Sequence, residues 1–502
     1  MAASKKTIYL TKTRYVVGLS CHKALWLMFN APERLPETDE ATQHRFDEGH
    51  MVGELAKNLF PNGIDIAEVI PEENDKVSKT LLKKRKPLFE AGSIHKDGKC
   101  YARADILYPV GSNEWDIIEV KSATGVKKEY LYDVSFQKYC YESSKVKIRK
   151  CFILHINKDY IRNGKINPKE FFAKTEITSY VNDMVANVPT NVENLFAIIK
   201  HKKCPEFKAG EEYHDDPSGI HDNDKIWCDN PEADIFDLYR GGRKALELFN
   251  SGIFKIKDIP DSHKLNDKQM IQKLTHASRK PHIASKELLT FVKSLKYPLY
   301  FIDFETYNTA IPLYNGLKPY QQIPFQFSVH LVNKKDAKPT HYSFIASGAS
   351  DPRPEFTKEL KKVLGANGSI IVYNQAFEQT IIKDLAALLP EYEKWADSTI
   401  QRMVDLLVPF RNFAYYDPIQ KGSASLKKVL PALTGKTYED FEIANGSQAS
   451  LSYLFITHGS YEGAKATPSE IKGIRASLEK YCGQDTEGMI WILDRLENLK
   501  SM

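Results

Sequence analysis

Tyr297-Pro298-Leu299-Tyr300-Phe301-Ile302-Asp303-Phe304-Glu305-Thr306 decides how this chain is read. The run is short, apolar and aromatic-rich, opened by Pro298, and it predicts a buried strand. Two carboxylates, Asp303 and Glu305, stand two residues apart at its end. Alternation along a strand puts both on one face. Side by side near a core they repel and lose hydration, a cost that a divalent cation between them offsets. An isolated Asp-x-Glu is more often a strand that ends in acids, so the sequence around it has to choose.

Beyond it, 325–332 and 341–345 read as strands, 355–364 as a helix and 369–373 as a buried strand. A further helix begins over Asn374-Gln375-Ala376-Phe377-Glu378, and a last one runs from about Ser469 to Leu496. A three-strand meander, a helix, a strand and then helices suit an α/β layer fold of the ribonuclease-H type. Glu378 falls in a first helical turn, where any acid is favoured. Asp405 lies in the apolar run Val404-Asp405-Leu406-Leu407, where a cap or an exposed turn is the plain alternative. Tyr481 and Asp485 are four apart and share a helix face. The plain alternative there is a core tyrosine with a surface aspartate.

Together these acids resemble the DEDD exonuclease superfamily, the proofreading-exonuclease fold, in its tyrosine-marked branch. The resemblance covers about 296–500. It implies that Asp303, Glu305, Glu378 and Asp485 hold two divalent metals, Mg²⁺ or Mn²⁺. It also implies that Asp405 is an auxiliary acid, that Tyr481 positions the attacking water, and that Asn374 contacts substrate. Glu378 stands where the superfamily usually has Asp, which moves its carboxylate outward by one methylene. Such a pair of metals, about 4 Å apart, activates water on one side of a phosphodiester and stabilises the leaving oxygen on the other.

In the first half, helices are predicted over Arg14–Phe29, Thr42–Leu59 and Asn74–Glu90. A hairpin turns at Asp97-Gly98, and strands follow over 101–107, 115–122 and 147–156, with a helix from Glu129 between the last two. Asp105 ends one strand, and Glu119 and Lys121 share a face at the end of the next. Two acids can hold Mg²⁺ or Mn²⁺, and a neighbouring Lys can orient the attacking water. An edge-strand ion pair is the plain alternative for Glu119 and Lys121.

The order Asp105, Glu119-Val120-Lys121, Gln137-x-x-x-Tyr141 resembles the PD-(D/E)xK nuclease superfamily, in the branch of RecB and the CRISPR-adaptation exonucleases, over roughly residues 10–230. It implies that Asp105 and Glu119 bind metal, that Lys121 is catalytic, and that Gln137 and Tyr141 support substrate binding or the site. Gly53 stands where that branch often carries a metal-binding His, and His50, three residues earlier, reads as a surface residue. The branch also commonly holds an iron–sulfur cluster. Here Cys21, His214, His221 and Cys228 could form a structural zinc site in its place, with Cys204 or His201 as substitutes. A metal-free region is an equal alternative.

At 502 residues the chain needs more than one core. The expected division is a RecB-like nuclease domain over 1–230, a helical connector over 231–294 and a DEDD-type exonuclease domain over 295–502. Hydrophobic content of 42% supports folded cores, and a net charge of +5 permits a polyanionic partner without requiring one. Seven scattered cysteines fit a reducing compartment rather than a disulfide framework. With no signal-like start and no apolar run of membrane-spanning length, a cytoplasmic protein is expected. The whole chain resembles a narrower uncharacterised family that fuses the two nuclease domains, in which Glu is usual at the position of Glu378 and which also carries phrases like Gly422-Ser-Ala-Ser-Leu-Lys-Lys-Val-Leu-Pro431. Taken together, the resemblances imply a nuclease with two active sites acting on nucleic acid, DNA before RNA, in repair, recombination or defence. Partner helicases are not identified by any residue. A single active site in the second half, or a pure nucleic-acid binder, are the alternatives.

Overall fold

The computed structural model describes residues 9–67, 70–205, 233–438, 441–461 and 463–498. The chain is a mixed α/β protein that divides into two compact units. Unit 1 comprises Met1–Pro231 and Thr309–Tyr320, and unit 2 comprises Glu232–Asn308 and Gln321–Met502. The helical segment expected to stand apart over 231–294 is grouped with unit 2. It forms the helices Gly242–Asn250, Asp267–Ser278 and Ser285–Ser294, with a small core of Ile235, Leu238, Leu248, Ile256 and Ile259. Among the described residues no helix is long and apolar enough to cross a membrane.

Unit 1 is built on strands β1 (Leu10–Thr11), β2 (Ile64–Asp65), β3 (Leu88–Ile94), β4 (Cys100–Val110), β5 (Glu114–Lys121), β6 (Lys147–Ile156) and β7 (Phe172–Glu176). Their order is β2-β3-β4-β5-β6-β7, with β1 added parallel to the start of β4. The pairs β3–β4, β4–β5 and β6–β7 are antiparallel, and β5–β6 is parallel, joined by the crossover helix Lys128–Ser143. Neighbouring residues split between the faces, as strand alternation requires. Leu88, Ile117 and Ile153 pack with Val134, Tyr141 and Val181. Phe89, Ile118 and Leu154 pack with Val52, Ala56 and Phe171.

Two helices differ from their expected bounds. The first is interrupted at Cys21, whose extended backbone (φ −153°, ψ 108°) separates Lys12–Ser20 from His22–Asn30. The Cys21 thiol accepts the Ala24 N–H at 3.3 Å and so caps the second helix. The third expected helix ends at Leu81, and after a short turn Arg85 takes φ +49°. Pro87 then disfavours any continuation, and Glu90 belongs to β3 instead.

Unit 2 contains β8 (His282–Ile283), β9 (Leu299–Tyr307), β10 (Ile323–Val332), β11 (Thr340–Ile345), β12 (Ser369–Val372), β13 (Met403–Asp405) and β14 (Tyr415–Tyr416). The main sheet runs β11-β10-β9-β12-β13, while β8 and β14 pair separately. The first three strands form an antiparallel meander, and β12 runs parallel to both β9 and β13. Central placement explains why β9 is buried along nearly its whole length. One face of β9, Tyr300, Ile302 and Phe304, packs on Phe356, Leu360, Ile381 and Leu385 from the helices Arg353–Val363 and Gln375–Leu388. The other face carries Asp303 and Glu305 towards the C-terminal helix Pro468–Asn498. Gly368 lets β12 approach this strand. Its φ is +91°, and a Cβ there would lie 2.0 Å from the Pro298 carbonyl oxygen.

Candidate functional site

In unit 2, residues from four separate stretches converge below β9. Asp303 and Glu305 are paired in register with Ser328 and Gln326 of β10. Glu378 stands in the first turn of the helix after β12, and Tyr481, Cys482 and Asp485 lie on the C-terminal helix. The helix is held against the strands by Gln326, whose amide donates to the Leu478 carbonyl at 2.8 Å. Asp485 is 6% exposed and Tyr481 4%, so the aspartate faces inward beside the tyrosine rather than solvent.

The electrostatics of this cluster are unusual. Burial, then Asp485, Glu305 and Glu378, push Asp303 well above the ordinary carboxylate range. Burial and Asp485 raise Glu305 to about 8, and burial raises Glu378 to about 8. Asp485 rises only to about 6, because the Tyr438 and Tyr481 hydroxyls and Lys427 favour its charged form. Tyr438 donates to Asp485 Oδ1 at 2.5 Å. Lys427 is the cation facing these acids, with its Nζ 4.9 Å from the Tyr481 ring centroid. Glu378 Oε2 is buried and has no hydrogen-bond partner among the described residues. One donor atom each from Asp303, Glu305 and Cys482 lies within 4.8 Å of the others, a spacing that could hold a metal ion. The Cys482 thiol also lies 3.5 Å from Asp303 Oδ2.

Asp405 sits at the end of β13 and is spent differently. Its Oδ1 accepts the Asn374 and Leu407 N–H groups, both at 3.0 Å, so it holds the loops after β12 and β13. Asn374 itself is exposed and adopts a left-handed backbone, φ +82°.

In unit 1 the expected acids also meet. Asp105 comes from β4, Glu119 and Lys121 from β5, and Gln137 from the crossover helix. Gln137 donates to Glu119 Oε2 and to Asp133 Oδ1, each at 2.8 Å. Lys121 Nζ bridges Glu119 and Asp133, both at 2.8 Å. Asp105 Oδ2 accepts the Val120 N–H at 2.8 Å. Lys12, at the start of the first helix, places its Nζ 2.6 Å from Glu119 Oε1 and 3.4 Å from Asp105 Oδ1. Glu90 lies close by on β3, raised to about 7 mainly by burial and then by Asp105. Tyr141 is 1% exposed; its hydroxyl donates to the Ala91 carbonyl and accepts the Ala104 N–H, so it ties the helix to β3 and β4 instead of facing a ligand.

His50 is exposed, and Gly53 has open space where a side chain would stand. Cys21 is buried with Val17 and Ala24, and Cys204 packs beside Leu27 and Ala31. His201 accepts the Trp26 indole N–H at its carbonyl. The other suggested zinc ligands, His214, His221 and Cys228, lie outside the described residues.

Sequence reasoning missed Lys12, Glu90 and Asp133 in unit 1, and Lys427, Tyr438 and Cys482 in unit 2. Lys427 lies inside the phrase 422–431, and Cys482 inside the Tyr481–Asp485 motif, so both were visible without a role. Tyr438 and Lys12 had no local signal.

Comparison with known proteins adds relatives without an assigned activity. A family described as Domain of unknown function (DUF2779) matches residues 300–425. Uncharacterized protein UU173 of Ureaplasma parvum serovar 3 is 25% identical over 319 residues, covering 59% of this chain and 44% of that protein. Uncharacterized protein MG366 of Mycoplasma genitalium is 25% identical over 238 residues, covering 43% of this chain and 34% of that protein. The chain thus matches less than half the length of either relative.

Proposed function

We propose that this chain is a metal-dependent nuclease whose principal catalytic centre is the carboxylate cluster of unit 2. The observation that carries the reading is charge: Glu305, Glu378 and Asp485 are buried and Asp303 is half-buried beside them, Lys427 is the facing cation of Asp303, Glu305 and Asp485, and Glu378 Oε2 has no partner among the described residues. Groups of this kind fit divalent cations bound through hard oxygens, with Asp303 and Glu305 as the central ligands and Glu378 and Asp485 completing the set. The strand order β11-β10-β9-β12-β13 supports a ribonuclease-H-like frame of the DEDD type. When bound, such ions supply an activated water and neutralise charge on the scissile phosphate.

The chain's own residues then position the substrate. Tyr481 is bonded to Asp485, and burial beside these acids holds its proton far more tightly than usual. It therefore acts as a neutral phenol that orients water, not as a base. Lys427, over the Tyr481 ring and facing the acids, offers a positive contact for a phosphate. The left-handed turn at Asn374 is fixed by Asp405, which places the first turn of the Glu378 helix at the cluster.

Unit 1 carries the Asp105, Glu119, Lys121 and Gln137 arrangement of a PD-(D/E)xK site, and we assign it a second hydrolytic or nucleic-acid-binding role. The binding role is favoured by Lys12, which already neutralises both acids. The substrate we assign is DNA, at ends or in single strands, with RNA as the competing polymer. The test is degradation of end-labelled single- and double-stranded DNA and RNA with Mg²⁺ or Mn²⁺. Asp303→Asn or Asp485→Asn should abolish one activity and Lys121→Ala a separable one. Undiminished hydrolysis by the triple variant would refute the scheme.

A further inference from the structure

We infer that the Lys12 ammonium is the resident cation of the unit 1 site and competes with divalent metal for Asp105 and Glu119. The two acids that sequence alone marks as metal ligands have their oxygens already engaged. Glu119 is 1% exposed and receives three donors: Lys12 and Lys121 on Oε1, and Gln137 on Oε2. Asp105 receives Lys12 on Oδ1 and the Val120 N–H on Oδ2. A divalent ion bridging these carboxylates would have to displace the Lys12 ammonium, because Lys12 already fills the place between Glu119 Oε1 and Asp105 Oδ1 and a doubly charged ion beside it would be repelled.

Comparison of the two acidic clusters strengthens the point. In unit 2, Asp303, Glu305 and Asp485 face Lys427, with Glu378 beside Asp303. In unit 1, Asp105, Glu119 and Asp133 face Lys12 and Lys121, while Glu90 is paired with Arg103 at 2.7 Å. The first cluster has one lysine for four carboxylates, and the second has two for three. The surroundings hold Lys12 firmly charged, through Asp105, Asp133 and Glu119 acting against its burial.

The position of Lys12 is not accidental to the fold. Leu10 and Thr11 pair with Cys100 and Tyr101, and Thr11 caps the helix that Lys12 begins. The backbone is therefore fixed, whereas the side chain, 23% exposed, can swing outward to free the carboxylates. Unit 1 is thus a site that accepts metal only when its own lysine leaves.

This inference rests on reading Asp105 and Glu119 as the ligand pair of unit 1, and its readout is metal binding, so inactivity of unit 1 in hydrolysis leaves the result legible. The experiment is Mn²⁺ titration, followed by electron paramagnetic resonance, of the full chain carrying Asp303→Asn and Asp485→Asn. Lys12→Met in that background should tighten Mn²⁺ binding by about tenfold or more, and Asp105→Asn added to it should erase the gain. Lys12→Arg, which keeps the charge, should bind as weakly as the parent. Binding by Lys12→Met equal to or weaker than the parent would overturn the inference. Should Lys12→Met fail to fold by circular dichroism, Lys12→Gln serves as the neutral variant under the same criteria.

Discussion

Burying a carboxylate opposes folding unless its charge is offset, and Glu305, 7% exposed, is offset only in part by Lys427. Glu305→Gln removes that charge while keeping the shape. It should stabilise the metal-free protein by about 2 kcal/mol, seen as a shifted urea midpoint, and lower hydrolysis by at least about 10²-fold. Stabilisation without loss of hydrolysis would remove Glu305 from the site. Tyr481→Phe deletes a donor but no ligand, so turnover should fall by about 10²-fold while Mn²⁺ affinity holds. A parallel loss of metal binding would make the tyrosine structural. At this scale the sequence was readable where partners are close along the chain. Asp303 and Glu305 were found through the strand period, and Tyr481 and Asp485 through the helix period. Lys12 was not, because its partners lie 93 and 107 residues away.

Among elements, the crossover helix Lys128–Ser143 shows how a single side chain fixes an orientation. The Tyr141 hydroxyl bonds the backbone of β3 and β4 at once. Tyr141→Phe leaves the buried Ala91 carbonyl and Ala104 N–H without that partner, at a cost of about 1–3 kcal/mol. Urea denaturation should register this loss with an unchanged slope; a neutral result would mean that the helix is held by its apolar contacts alone. Long elements with a steady period, such as β6 and the C-terminal helix, were anticipated nearly to their ends. The break at Cys21 was not, since apolar residues on both sides continue a helical pattern and only an extended backbone at one residue interrupts it. The two-residue strands β8 and β14 are likewise too short to carry a period of their own.

For the whole molecule the acids of unit 2 set a pH dependence. Glu305 and Glu378 move from an ordinary value of 4.5 to about 8 on folding. The folded chain therefore binds more protons than the unfolded chain between those limits, and the stability contributed by these groups falls as pH rises through that window. Metal-free protein in chelator should lose stability from pH 5 to pH 8, and Mg²⁺ or Mn²⁺ should restore it chiefly at the upper end. Equal rescue at pH 5 and pH 8 would place the ion elsewhere. The mixed α/β character and the main cut near residue 230 were legible from the order of the elements, whereas the grouping of 232–294 with unit 2 and of 309–320 with unit 1 was not, because segment membership depends on distant packing.

That division bears on the gene as well as the protein. Unit 1 closes with Thr309–Tyr320, a stretch encoded after β9 and before β10. Within unit 1 the Ala310 N–H meets Glu48, Arg162 clasps the Pro312 and Leu313 carbonyls, and Tyr320 bonds Ser122 beside Lys121. A truncation after residue 231 would therefore strip the first half of its own clasp and remove the Ala310 N–H that Glu48 accepts. Unit 1 is not a self-sufficient cassette: inheritance or shuffling of the segment before residue 232 alone leaves twelve of its residues on the wrong side of the cut.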